Sequence, residues 1–364
     1  AIVAEDFNSD GYLDVFVAND FHENDYLYLN RAGVGFELAT DESFQTNSKF
    51  TMGVDAGDLN GDGLTDLFTL DMKPWDEVER KNALGAEPFH IHKYKRSQGY
   101  VEQFPKNSAH LQRGSVASKG MALPVFEDVA PLLGVESTDW SWGVLLEDFD
   151  GDGYKDLYVT NGIKRRPNDL DYIQFLSSGE GVAKSDESIY SQMPPGLVSN
   201  RAYRGTHDGM VETSKSWGLD FKGTSNGSAV ADFDNDGKLD LVINNLDDRA
   251  RLYRNILATA ATTVDFGGYN VRYRKRLDAK SHWSLGTRSW LSHSSTRKNV
   301  DDFGEGIIVE WPNGTAEAYT LLPGEHNPLR PGEGMPVDDL ETVSKSRVAT
   351  TLDTLPFGHK EDAY

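Results

Sequence analysis

The chain has 364 residues and carries 58 acidic against 36 basic side chains, a formal net charge of −22. That surplus repels nucleic-acid phosphates and anionic membrane surfaces and argues against both as partners. At 38% hydrophobic and 11% aromatic residues it is too apolar for a disordered acidic tail, and with no cysteine it has no disulfide, thiolate metal site or cysteine nucleophile.

Residues 1–6 (AIVAED) read as a strand and not as an export signal, which is expected outside these residues. No apolar run approaches the roughly 20 residues that cross a bilayer. The strand enters a nine-residue loop, 6–14 (DFNSDGYLD), followed by a β-prone run, VFVAN. The same pattern, D-x-[DN]-x-D-G-x-x-D, returns at 58–66 (DLNGDGLTD), 148–156 (DFDGDGYKD) and 232–240 (DFDNDGKLD), each time ahead of a strand: LFTLD, LYVTN and LVINN. A glycine stands five residues before the last three loops (Gly53, Gly143, Gly227), and an aromatic-type anchor follows each loop at Tyr28, His110, Tyr203 or Tyr253. The second and third units carry extra segments, about 72–105 and 163–198, with partly helical patterns (DEVERKNAL, NDLDYIQFLSS). Insertions at one position of successive repeats are expected to emerge on one face. Several short strands per unit point to an all-β fold, a β-propeller with two partly helical insertions, incomplete within this chain because four blades over 1–255 are few for a closed ring.

The loops have the chemistry of a calcium site. Oxygen-bearing side chains occupy positions one, three, five and nine, and position seven offers its carbonyl. The sets are Asp6, Asn8, Asp10, Tyr12 and Asp14; Asp58, Asn60, Asp62, Leu64 and Asp66; Asp148, Asp150, Asp152, Tyr154 and Asp156; and Asp232, Asp234, Asp236, Lys238 and Asp240. Glycine at position six (Gly11, Gly63, Gly153, Gly237) permits the sharp turn. These are not EF-hands, since position twelve (Val17, Thr69, Val159, Ile243) lies in a strand and not on a bidentate glutamate. Asp and Gly also favour plain turns, but four copies of one ligand spacing predict about four Ca²⁺ ions. The first two loops, with Asn at position three, are expected to bind more weakly. Loop carboxylates account for 14 of the 58 acidic residues, and four bound ions take the net charge from −22 to −14.

These motifs resemble the FG-GAP or VCBS repeat of integrin-alpha-type propellers. Within 50–255, DWSWGVLLEDFDGDGYKDLYVTNGIKRRPNDLDYIQF and SNGSAVADFDNDGKLDLVINN resemble bacterial VCBS proteins with an ASPIC/UnbV domain, a group related to cartilage acidic protein. The resemblance implies propeller blades over 1–255, an ASPIC/UnbV-like β module over 256–335 and a linker over 336–364 toward a further region. Residues 307–321 (IIVEWPNGTAEAYTL) resemble that module's W-P-x-G segment and read as a hairpin turning at Asn313-Gly314. It also implies a secreted or cell-surface calcium-binding protein that recognises a glycan or protein ligand in adhesion. The alternative is a propeller-based polysaccharide lyase or glycoside hydrolase.

Other signals weigh less. Ser225 sits in a G-x-S-x-G match, but a strand follows it where a nucleophile elbow needs a helix. His90 and His92, two apart, would share a face if on a strand and could ligate a metal with His110, though packing roles are favoured. Trp140 and Trp142 are expected on one strand face, and they and Trp75 are candidates for sugar stacking, with burial between blades favoured. Lys164, Arg165 and Arg166 are expected to pair with acidic neighbours. Asn226 and Asn313 fit glycosylation sequons but are explained by the repeat glycine and the hairpin turn.

Overall fold

The computed structural model describes residues 1–256 apart from 22, 84–87, 179–183, 235 and 237, and beyond them 263–265, 272–275, 284–285, 297–299, 306–311, 314–324, 326–337 and 348–350. The four repeat units form four antiparallel meanders. The first runs Ile2–Glu5, Asp14–Val17, Tyr26–Asn30, Phe36–Leu38; the second Gly53–Gly57, Asp66–Leu70, Ser108–Ser118, Met121–Asp128. The third runs Ser141–Glu147, Asp156–Asn161, Arg201–Thr206, Gly209–Glu212, and the fourth has three strands, Ser225–Ala231, Asp240–Asn245 and Arg251–Tyr253. Each acidic loop joins the first strand of its sheet to the second. This is an all-β, β-propeller-like architecture.

Successive first strands lie against one another, and the sheets stack face to face. Alternation along each strand sends neighbouring side chains into different cores. Leu67 packs with Val3, Phe16, Leu27 and Phe126 between the first two sheets, while its neighbour Phe68 joins Val144, Leu146, Leu157 and Val159 between the second and third. Leu145 and Tyr158 turn the other way, onto Val230, Leu241 and Ile243 of the fourth sheet. Covered on both faces, Asp66–Leu70 and Asp156–Asn161 are buried along their whole length, whereas Asp14–Val17 of the first sheet alternates.

The anchors occupy one register. Tyr28, His110, Tyr203 and Tyr253 pair with Val15, Leu67, Leu157 and Leu241, the residue after each loop's last aspartate. His110 is buried against Phe44, ring centroids 4.9 Å apart, and burial pushes its pKa down to about 4. Gly53 answers to space: a Cβ there would lie 2.3 Å from the Trp142 carbonyl of the adjacent first strand.

Both insertions are partly helical, with helices Glu77–Asn82 and Phe89–Ser97 in the first and Leu170–Leu176 and Asp186–Gln192 in the second. They leave from the end of the second strand, opposite the acidic loops, and they meet. Asn82 Nδ2 donates to Asp169 Oδ2 at 2.6 Å, and Arg166 pairs with Asp139 at 2.7 Å and Glu79 at 3.4 Å. Lys164 pairs with Asp247 at 2.6 Å, as the basic cluster was expected to do.

Three expectations are corrected. His90 and His92 lie on the helix Phe89–Ser97, where a spacing of two separates them around the axis, and His92 pairs with Glu102 at 2.8 Å. Trp140 precedes the strand that Trp142 occupies, and a bulge between Ser141 and Gly143 breaks the shared face. Trp75 is 54% exposed, not buried between sheets, with the Arg201 guanidinium 4.2 Å above its ring.

Beyond 256, Gly306–Glu310 pairs with Ala316–Thr320 in the expected hairpin, closing at Glu310↔Ala316 over a core of Ile307, Val309, Trp311, Tyr319 and Leu321. The turn residue Asn313 and most of 336–364 lie outside the described residues.

Candidate metal centre

Position one organises each loop by accepting backbone N–H groups. Asp6 takes those of Asp10 (3.0 Å) and Gly11 (2.8 Å), Asp58 those of Gly61 (2.8 Å) and Gly63 (2.7 Å), and Asp148 those of Gly151 (2.7 Å) and Gly153 (2.9 Å). Asp232 takes the N–H of Asp236 at 3.0 Å. Position five caps position seven: Tyr12, Leu64, Tyr154 and Lys238 donate their N–H to Asp10, Asp62, Asp152 and Asp236 at 2.8–3.1 Å. The position-six glycine adopts positive φ (95° at Gly11, 81° at Gly63, 91° at Gly153), which a side chain would strain.

Position nine ties the loop to the sheet. Asp14, Asp66, Asp156 and Asp240 each accept the N–H of position two (Phe7, Leu59, Phe149, Phe233) at 2.7–3.0 Å. The second oxygen of each accepts at 2.8 Å the N–H two residues past the anchor, from Asn30, Gln112, Gly205 and Asn255. Burial pushes Asp14, Asp66 and Asp156 up to about 8, and the other carboxylates of each loop push the same way against the pull of those N–H groups. Burial likewise raises Asp148, to about 6.

Such crowding favours a cation. In the third loop one oxygen each of Asp148, Asp150 and Asp156 lie within 4.8 Å of one another, as do those of Asp232, Asp234 and Asp240 in the fourth. Asp150 Oδ1 is buried with no hydrogen-bond partner. A hard, oxygen-only donor set with an unsatisfied carboxylate oxygen fits a divalent ion such as calcium. The first two loops hold the same backbone frame, but their position-three residue is an amide whose Nδ2 donates to position five, Asn8 to Asp10 Oδ2 at 3.0 Å and Asn60 to Asp62 Oδ2 at 3.3 Å.

Two sets of residues escaped the sequence reading. Arg204 and Arg254, one past their anchors, reach into the third and fourth loops. Arg204 Nε lies 2.5 Å from Asp150 and its Nη2 2.6 Å from Asp152; Arg254 Nε lies 2.5 Å from Asp234 and its Nη2 3.2 Å from Asp236. At the opposite end of the sheets, Asp25, Asn107 and Asn200, each three before an anchor, bridge one sheet to a hydroxyl of the next: Thr51 at 2.9 Å, Thr138 at 2.6 Å and Ser225 at 2.9 Å. A constant offset from the anchor marks both sets in the sequence. Ser225 is thereby fully buried in a sheet-to-sheet joint, its hydroxyl also donating to Asn245 Oδ1 at 2.7 Å, which explains its G-x-S-x-G context without an elbow.

Among the described residues no helix is long and apolar enough to cross a membrane. A comparison with curated proteins finds no match. Residues 6–69, from the first acidic loop through the second loop and its strand, match the protein family described as FG-GAP-like repeat.

Proposed function

We propose that this chain is a calcium-stabilised, non-enzymatic recognition module of a secreted or cell-surface protein, binding a glycan or a surface protein. The observation that carries the calcium assignment is the fourfold recurrence of one acidic loop, held by equivalent hydrogen bonds and by a buried position-nine aspartate. Asp6, Asn8, Asp10 and Asp14 would hold the ion with the carbonyl of Tyr12, and the other three loops would do so at the corresponding positions. A bound ion supplies the charge that lets these carboxylates stay ionised together, and so fixes each loop against its sheet.

We take the insertion end of the sheets as the recognition face. Calcium loops at one end brace the stack, and both insertions emerge at the other, where Trp75, Phe89, Tyr94 and Tyr190 remain exposed. Aromatic faces of this kind stack on sugar rings or pack against a partner chain. An extracellular setting would suit such an ion, since extracellular calcium modules work with dissociation constants of about 10⁻⁴–10⁻³ M.

Thermal unfolding with calcium and with a chelator tests the assignment. Calcium at 100 times its dissociation constant is expected to stabilise by about 2.7 kcal/mol per site. Melting unchanged by chelator would sink it. For the face, Tyr94→Ala is expected to weaken ligand binding on a glycan array with little change in the melt, and turnover of a polysaccharide panel would replace recognition with catalysis.

A further inference from the structure

The position-five aspartate receives the same two hydrogen bonds in all four loops. The N–H of position seven reaches Oδ1 of Asp10, Asp62, Asp152 and Asp236. Oδ2 takes a side-chain N–H from one of two sources. In the first two loops it comes from position three itself, from the amide of Asn8 or Asn60. In the last two, position three is Asp150 or Asp234, a carboxylate with no N–H to give. There the donor is Nη2 of Arg204 or Arg254, the residue after the anchor. The first two units have Leu29 and Leu111 at that place, both buried. Aspartate at position three thus goes with arginine after the anchor, and asparagine with leucine.

We infer that Arg204 and Arg254 are positioning residues of the third and fourth loops, which orient the position-three and position-five carboxylates for the ion. The inference rests on the calcium assignment and refines it. Each guanidinium spans both groups, with Nε 2.5 Å from Oδ2 of Asp150 or Asp234 and Nη2 on Oδ2 of Asp152 or Asp236. In the third loop this turns Oδ2 of Asp150 outward and leaves its Oδ1 buried and without a hydrogen bond, as a ligand atom requires. Charge balance does not call for the arginines, because Lys155 and Lys238 already stand inside these loops. What the arginines add is geometry, and groups that hold metal ligands by hydrogen bonds typically contribute 10–100-fold in affinity. At 43% and 65% exposed, both side chains sit at the rim, where water weakens their repulsion of the ion.

Calorimetric titration of the full chain with calcium tests this through two variants that leave the charge of each loop as it is. R204K/R254K keeps the cation and removes the planar fork, so two of the sites should weaken by about tenfold while the other two stay unchanged. The exchange variant, D150N/R204L with D234N/R254L, removes one acid and one base per loop and returns the donor to position three. Its affinity should stay near that of the wild type. In chelator, R204K/R254K should melt close to the wild type, because exposed ion pairs contribute little to stability. If R204K/R254K fails to fold, R204K alone carries the test, with one site weakened. A wild type that takes up no calcium defeats the calcium assignment and the inference with it. Calcium uptake with unchanged or tighter sites in R204K/R254K, with all four sites weakened alike, or with the exchange variant as weak as R204K/R254K, defeats the inference alone.

Discussion

Asp25 places a carboxylate where the next two sheets place Asn107 and Asn200. All three accept a backbone N–H in their own sheet, from Asn19, Asp71 and Asn161 at 2.8–2.9 Å, and all three reach a hydroxyl of the following sheet. Burial pushes Asp25 up to about 7, against the N–H of Asn19 and the hydroxyl of Thr51 that pull it down. A carboxyl whose folded pKa is raised contributes its full stability below the unfolded value near 4 and loses it as pH rises through 7. Asp25→Asn keeps both hydrogen bonds, with Nδ2 donating to Thr51, and carries no such loss. The variant should therefore gain on the wild type between pH 4 and 7, on the order of 2–4 kcal/mol at pH 7.5. Chemical denaturation at several pH values checks it, and a difference that does not change with pH would contradict the argument. The Asp or Asn at this offset was present in the sequence, but its role depends on which strand heads adjoin across two sheets, which spacing along one chain does not state.

The acidic loop was legible because its oxygen-bearing residues stand at set steps along nine consecutive positions, so the pattern survives without any knowledge of the fold. The arginines were not, because Asp150 and Arg204 are brought together only by the pairing of Asp156–Asn161 with Arg201–Thr206 across the second insertion. The repeat glycine lies between these cases. Its position was visible, and the structure supplies its reason at Gly53, where the next first strand passes too close for a Cβ. Gly53→Ala should cost about 2–4 kcal/mol through overpacking against backbone. At Gly227 a Cβ would meet nothing within 4 Å, so Gly227→Ala should stay within about 0.5 kcal/mol of wild type. Paired urea melts measure both, and equal costs at the two positions would contradict the assignment. The histidines of the first insertion were misplaced because a short apolar and polar mixture there was given a strand period, whereas FHIHKYKRS forms a helix.

Across the whole molecule, the insertions and the acidic loops occupy opposite ends of one stack of sheets, so the proposed ion sites and the exposed aromatic side chains of the insertions are separated along the sheets. The two insertions are joined through Arg166, which is 5% exposed and pairs with Asp139 and Glu79. Arg166→Ala leaves Asp139 buried without its partner and should cost about 3–5 kcal/mol, read as a lowered melting temperature. Repeat architecture was readable from periodicity, while the contact between insertions required the assembled sheets. The net charge of −22 takes its meaning at this scale, as a framework of carboxylates that several divalent ions would partly neutralise. The most direct measurement is the number of calcium ions retained per chain in equilibrium dialysis. The account predicts about four, falling by about one with each loop in which the position-one and position-nine aspartates become asparagine. Retention of no calcium by the folded wild type would contradict it.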